Sequence, residues 1–409
     1  MKYNVCTLDN GLRVIHLPSD SQVVYCGISV KAGTRHEKKG EEGLAHFCEH
    51  LSFKGTSRRS SVQIINAIEG VGGELNAFTN KEDTTFYCAI QRDHFRQAVD
   101  VLCDIVFHST FPEEEVEKER EVVCEEIESY EDTPAELIYD EFENILFEGH
   151  PLGHNILGTS SQVRSYTSAD AMRFTSRYYH PSNCVFFVSG DINFKRLTRQ
   201  LAQLPQITQN TQNTPITQIT LNPQPTQSAP ITRHRSTHQA HVMLGTLAYA
   251  ADDKRRWALY LLNNILGGPG LNSRLNLALR ERHGLVYSVE STMVSYSDTG
   301  LWSVYFGCDQ TDVKRCLRLV RHELDRLCQK PLSPTQLQKA KQQLQGQLAI
   351  ASDSREQFAL DFAKNFLHTG KLRDLRDIMA HIDKLTATDL WQVAQELFAP
   401  ERITTLIYD

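Results

Sequence analysis

Hydrophobic and polar positions along the chain alternate in two distinct periods. Around residues 11–16 and 23–30 the apolar residues form short runs that predict strands, separated by the turn-prone Pro18-Ser19-Asp20-Ser21. A helical period then takes over: Leu44, Phe47, Cys48 and Leu51 fall on one stripe. Glu41 and Glu42 stand where the first turn of this helix is expected, favourable to its dipole, and Gly55-Thr56 supplies a stop. Residues 61–71 predict another helix, broken by Gly72-Gly73. Residues 74–79 and 84–90 predict strands joined by the turn Lys81-Glu82-Asp83. Next come an amphipathic helix over 95–108, a long acidic helix over 113–131 and more helix over 134–147. A loop rich in Gly, Pro and His (149–158), a helix (169–179) and an apolar strand (183–189) complete this half.

The composition then changes. Residues 205–230 are dominated by Gln, Thr, Asn and Pro, which pack poorly and predict an interdomain linker. The expected organisation is a first half over 1–203, a linker over 204–232 and a second half over 233–409. The second half repeats the order of the first: a strand at 242–248, a helix at 256–266 stopped by Gly267-Gly268-Pro269-Gly270, a strand at 301–307 and helices at 312–329 and 335–349. Tyr260-Leu-Leu-Asn263-Asn264 aligns with His46-Phe-Cys-Glu49-His50, and Lys339-Ala340-Lys341 with Lys118-Glu119-Arg120. The repeat keeps the apolar pattern and loses the candidate ligands, so one half is expected to be chemical and the other degenerate.

The chemistry is in His46-Phe47-Cys48-Glu49-His50. On a helix, positions i, i+3 and i+4 share a face, which sets two imidazoles beside one carboxylate. That set suits Zn²⁺ with an adjacent base. A catalytic zinc needs a third protein ligand. The acidic helix carries an apolar stripe at Val116, Val123, Ile127 and Tyr130, and Glu119 and Glu126 fall on that stripe. A carboxylate aimed at a core is costly unless paired or metal-bound. The repeat places neutral Gln347 opposite Glu126, so Glu126 is assigned as third ligand and Glu119 as the residue behind it that orients a ligand or water. Cys48, on the opposite helix face, reads as a packed thiol. His150 and His154 read as parts of a structural loop, and Gly267–Gly270 as a turn.

Bulk properties narrow the setting. The 409 residues imply more than one domain. A hydrophobic share of 40% and a charged share of 23% describe a globular protein. The net charge of −7 argues against nucleic acid or a membrane surface as partner. No apolar run is long enough for a membrane span, and the amino end lacks an apolar leader. Ten Cys with no C-x-x-C pair read as reduced thiols, so a cytoplasmic location is expected.

The inverted motif His46-x-x-Glu49-His50, followed by Glu119 and Glu126, resembles the pitrilysin (insulinase) family of zinc metallopeptidases. The resemblance spans the chain. Asn76-Ala77-Phe78-Thr79 resembles that family's substrate-pairing edge strand, and Gly267-Gly268…Arg280…Tyr287 its second-half signature. It implies an α+β fold of two homologous halves, each an antiparallel sheet with helices packed on it, forming one shell of a clamshell. It also implies a zinc endopeptidase in which Glu49 activates a metal-held water and Arg280 and Tyr287 hold the substrate and polarise its carbonyl. A bland reading of the last pair, a salt-bridged Arg and a core Tyr, stays open. A chamber needs two shells, so a homodimer or a heterodimer with a related subunit is expected, acting on peptides. A precursor-specific processing protease and a non-catalytic assembly subunit are the alternatives.

Overall fold

A computed structural model describes residues 3–204, 229–235, 237–372 and 375–409. The expected linker over 204–232 lies almost wholly outside these residues. In chain order the first elements are β1 (Asn4–Thr7), β2 (Arg13–Pro18), β3 (Val23–Val30), α1 (Leu44–Leu51), α2 (Ser61–Ile68), β4 (Glu74–Thr79) and β5 (Thr84–Gln91). There follow α3 (Phe95–Phe107), α4 (Glu113–Glu131), α5 (Pro134–Leu146), α6 (Ser160–Val163), α7 (Ser168–Tyr178), β6 (Cys184–Gly190) and α8 (Phe194–Leu201). Then come β7 (Ile231–Arg233), β8 (Ala240–Ala248), α9 (Arg256–Gly267), β9 (Val286–Ser295), β10 (Gly300–Cys308), α10 (Val313–Gln329) and α11 (Pro334–Ala351). Last are α12 (Arg355–Thr369), α13 (Leu375–Lys384), α14 (Ala387–Leu397) and β11 (Thr404–Tyr408).

The chain divides into two compact units. The first holds residues 1–128, 154–217 and 351–374, and the second holds 129–153, 218–350 and 375–409. The units therefore do not follow the expected sequence halves: each half lends one segment to the other unit. The first unit is built on a six-stranded sheet in the order β1-β2-β6-β3-β5-β4. The second is built on a five-stranded sheet in the order β7-β11-β8-β10-β9. Pairing is mostly antiparallel, as expected, but β2–β6 and β11–β7 run parallel. Between β2 and its parallel partner β6 the chain passes through β3, β5 and β4 of the same sheet and the helices α1 to α7, so this pair is joined by a long connection, as a parallel pair requires.

Both faces of each sheet are covered. One face of the first sheet meets the large core that includes Val24, Ile28, Phe86, Val101, Leu102 and Ile105. On its other face Ile15, Val185 and Phe187 pack against Ala359, Phe362, Ala363, Phe366 and Leu367 of α12. In the second unit, Met243, Leu406 and Tyr408 pack against Ile138 and Phe142 of α5. No helix among the described residues is long and apolar enough to cross a membrane.

If α12 supplies the far face of the first sheet, Phe362→Ala, at a side chain 5% exposed, should cost about 3 kcal/mol in denaturant unfolding. A loss below about 1 kcal/mol would mean that α12 adds little to that core.

Candidate metal centre

α1 begins at Gly43, whose φ of +92° belongs to the left-handed region that favours glycine. A Cβ there would lie 2.5 Å from the Leu157 carbonyl oxygen. Neither of the expected acids, Glu41 or Glu42, caps this helix. Two of the N–H groups at its start go to Glu37, which accepts from Gly43 N at 3.0 Å and Ala45 N at 2.7 Å, and the Leu44 N–H goes to the Glu41 carbonyl oxygen. Glu41 instead pairs with Arg177, and Glu42 accepts from Gly40 N. The apolar stripe is as its period requires, with Leu44, Phe47, Cys48 and Leu51 fully buried. The Cys48 thiol packs toward the Ala171 carbonyl oxygen, 3.9 Å away. The chemical face is covered too, because α1 packs on β4 and α7; His46 and Glu49 are each only 7% exposed.

The structure brings together His46, His50 and Glu126. The imidazole rings lie 4.5 Å apart. Glu126 Oε2 stands 3.4 Å from His50 Nε2 and 3.8 Å from His46 Nε2. The three ligand atoms all fall within 4.8 Å of one another. Two ligands about 2.1 Å from one ion at the tetrahedral angle stand about 3.4 Å apart, so the donor set fits a metal of zinc's type. Exposure rises across the cluster, from 9% for the His46 side chain to 23% for His50 and 43% for Glu126. The site therefore opens on the Glu126 side, where a water has access. This corrects the expectation that Glu126 faces the core: of the two acids, only Glu119 is buried.

Behind the cluster the partners are fixed. His50 Nδ1 and Glu119 Oε1 are 2.9 Å apart, and Lys54 Nζ donates to Glu119 Oε2 at 2.6 Å. The Thr79 hydroxyl donates to Glu49 Oε2 at 2.6 Å. These contacts divide the two histidines. Burial alone would lower the His50 pKa, but the Glu119 and Glu126 carboxylates override it and carry it to about 9. Burial, helped by the neighbouring His50 charge and opposed by Glu126, takes His46 down to about 4. Burial also raises the Glu49 pKa against the Thr79 hydrogen bond, which suits a base that must accept a proton near neutrality. His46 Nδ1 is buried with no hydrogen-bond partner among the described residues.

The other expected site residues are divided between the two units. Asn76, Ala77, Phe78 and Thr79 form most of β4, the outermost strand of the first sheet, paired with β5 alone. Arg280 and Tyr287 are in the second unit. The Arg280 guanidinium lies 5.7 Å from the Tyr287 ring centre, and Tyr287, at the start of edge strand β9, is 85% exposed. Tyr287 is therefore no core residue, against that half of the bland reading, while Arg280 does meet an acid, its Nε lying 3.8 Å from Glu281 Oε1. The repeat is visible in detail. Where Thr79 of edge strand β4 donates to Glu49, Ser291 of edge strand β9 donates to Asn263 at 2.5 Å.

Comparison with known proteins gives the family. The profile of the insulinase family (peptidase family M16) matches residues 13–160, and that of the M16 inactive domain matches residues 165–344. An uncharacterized zinc protease of Streptomyces coelicolor is 35% identical over 401 residues, 96% of this chain and 86% of that protein. The chain belongs to the M16 family. A second M16-type relative, an uncharacterized zinc protease of Bacillus subtilis, is 32% identical over 98% of this chain and 97% of its own length. Among solved structures, a protease from Helicobacter pylori superposes with a TM-score of 0.90 at 25% identity, covering 100% of this chain and 99% of that one. A Pseudomonas fluorescens structure described as an M16 inactive domain shares the fold, with a TM-score of 0.89 at 19% identity over 100% and 98% of the two chains.

Two residues beside this cluster give little or no sign of their place in the sequence alone. Lys54 lies four residues after His50 on the same helical course, so its spacing was a usable signal. Glu37 lies outside the helix and gave none. In metal-free protein the two histidines should titrate far apart, His46 near pH 4 and His50 near pH 9. Imidazole NMR across that range checks this, and Glu119→Gln should bring the His50 midpoint down. Two midpoints near 6.5 would contradict the described contacts.

Proposed function

We propose that the protein is a zinc-dependent endopeptidase acting on extended peptides. The observation that carries this is the convergence of His46, His50 and Glu126, with Glu49 held beside them by Thr79. Those three residues would hold a zinc ion, which would supply Lewis acidity and lower the pKa of a water toward neutrality. Glu49 takes the proton from that water and later delivers it to the leaving amine. Its buried setting raises its proton affinity, and the Thr79 hydroxyl fixes which carboxylate oxygen is free to act. Glu119 and Lys54 hold His50 so that Nε2 faces Glu126. The open edge of β4, along Asn76–Thr79, supports substrate binding by strand addition, in which main-chain hydrogen bonds give affinity with little sequence preference. Arg280 and the exposed Tyr287 take the substrate-holding role that the family resemblance implies, serving the zinc site of their own chain or of a partner in a dimer that completes a chamber.

Purified protein should carry about one zinc per chain and cleave unstructured peptides until a chelator is added. Glu49→Gln should keep the zinc and lose about 10²–10⁴-fold in turnover, because only proton transfer is removed. Mass-spectrometric cleavage of a peptide library reads both. Zinc-loaded wild type that cleaves nothing in the library would end the peptidase reading. For the dimer, mixing Glu49→Gln with Arg280→Ala chains should restore activity above either alone if the pair works across subunits. A mixture no better than its components sinks that arrangement.

A further inference from the structure

Glu37 has no part in the chemistry described above, yet its side chain is fully buried, with 0% exposure. A carboxylate is tolerated in such a place only where its oxygens are satisfied. Oε1 accepts the Ala45 N–H, and Oε2 accepts the Gly43 N–H and lies 2.9 Å from His154 Nε2. Gly43 and Ala45 are the residues immediately before His46 and at the start of α1. The helix has no side-chain cap of its own at Gly43; the Leu44 N–H goes to the Glu41 carbonyl oxygen, and the Gly43 and Ala45 N–H groups depend on Glu37.

Three backbone segments converge on Glu37. The segment that carries it is pinned by Thr34 N to Asn80 O at 3.2 Å and Arg35 N to Lys81 O at 2.8 Å. A Cβ on Gly33 would meet Asn80 O at 2.1 Å, so the two strands of chain are in direct contact. Lys81 Nζ donates to the His154 carbonyl oxygen. The loop bearing His154 closes back on the helix start, where a Cβ on Gly158 would lie 2.3 Å from Glu42 O and 2.8 Å from Gly43 Cα. The same turn, residues 80–83, follows Thr79, which holds Glu49.

We propose that Glu37 and His154 form a positioning pair: Glu37 fixes the first turn of α1, and with it the direction of the His46 and His50 side chains, while His154 locks Glu37 in place. The inference rests on the zinc reading above. A helix whose first turn frays moves His46 first, because His46 is its third residue, and a metal site tolerates little displacement of a ligand. Removing the partners that orient metal ligands typically weakens affinity about 10–100-fold. The pair thus couples the 149–158 loop to metal affinity although neither residue lies in the donor cluster.

The test is zinc affinity in full-length protein, by competition with a chromogenic chelator, for wild type, Glu37→Ala, Glu37→Gln and His154→Gln. Melting curves and hydrogen exchange are recorded on the metal-free forms. Glu37→Ala should weaken zinc binding about tenfold or more and speed exchange at the α1 amides, with the sheet amides unchanged. Glu37→Gln keeps the shape and one acceptor oxygen, so it should fold and show an intermediate loss. His154→Gln should weaken binding in the same direction. Variants that melt earlier yet bind zinc within twofold of wild type would show that Glu37 only stabilises the fold, and this inference fails alone. Wild type with no zinc affinity overturns the metal reading and this inference with it.

Discussion

The contact between His50 and Glu119 governs the arrangement around it. Glu119 reaches His50 from α4 with one oxygen and Lys54 with the other. A buried carboxylate and a half-buried imidazole would each be costly alone; together, with a lysine closing the set, they hold each other at one geometry. That geometry turns His50 Nε2 toward Glu126, two turns further along the same helix. Without α4 docked against α1, the motif is two histidines on a helix. With it, three donors face one point.

The same logic accounts for the base. Glu49 is buried, which favours its protonated form, and the hydroxyl of Thr79 holds one oxygen. Thr79 ends the edge strand β4, and the turn after it carries Lys81, Glu82 and Asp83, all buried. Arg35 pairs with Glu82, and His368 with Asp83. Each charge in that turn has a partner, as buried charges require. The strand that presents an open edge therefore also sets the base, so substrate pairing and proton transfer draw on one rigid element.

The repeat shows what is lost when the chemistry is not kept. Asn263 occupies the place of Glu49 and accepts a hydroxyl from Ser291 of β9, so the hydrogen bond between helix and edge strand persists while the charge is gone. Neutral amides need no counter-charge and no metal, and the second unit keeps its apolar core without either.

Local pattern settled much of this protein. The period-2 and period-3.6 signals place β3, β4 and α4 with the boundaries they have and α1 about a turn too long at its amino end, and the i, i+3, i+4 rule puts His46, Glu49 and His50 on one face, because those geometries are decided within a few residues. Lys54 was within the same reach. β1, α6, α8, β7, β9 and all elements after residue 351 are not legible in the sequence, where short or weakly periodic runs give little signal, and β7 begins inside the stretch expected to be linker. Long-range choices were not local at all. An amphipathic helix announces that it has an apolar face, not which sheet it will cover, so only the tertiary structure assigned α12 to the first sheet and α5 to the second. The approach of Glu126 to the histidines, the half-open side of the site, and the contact of His154 with Glu37 arise where segments distant in sequence meet, and burial and charge satisfaction there are properties of the packed chain.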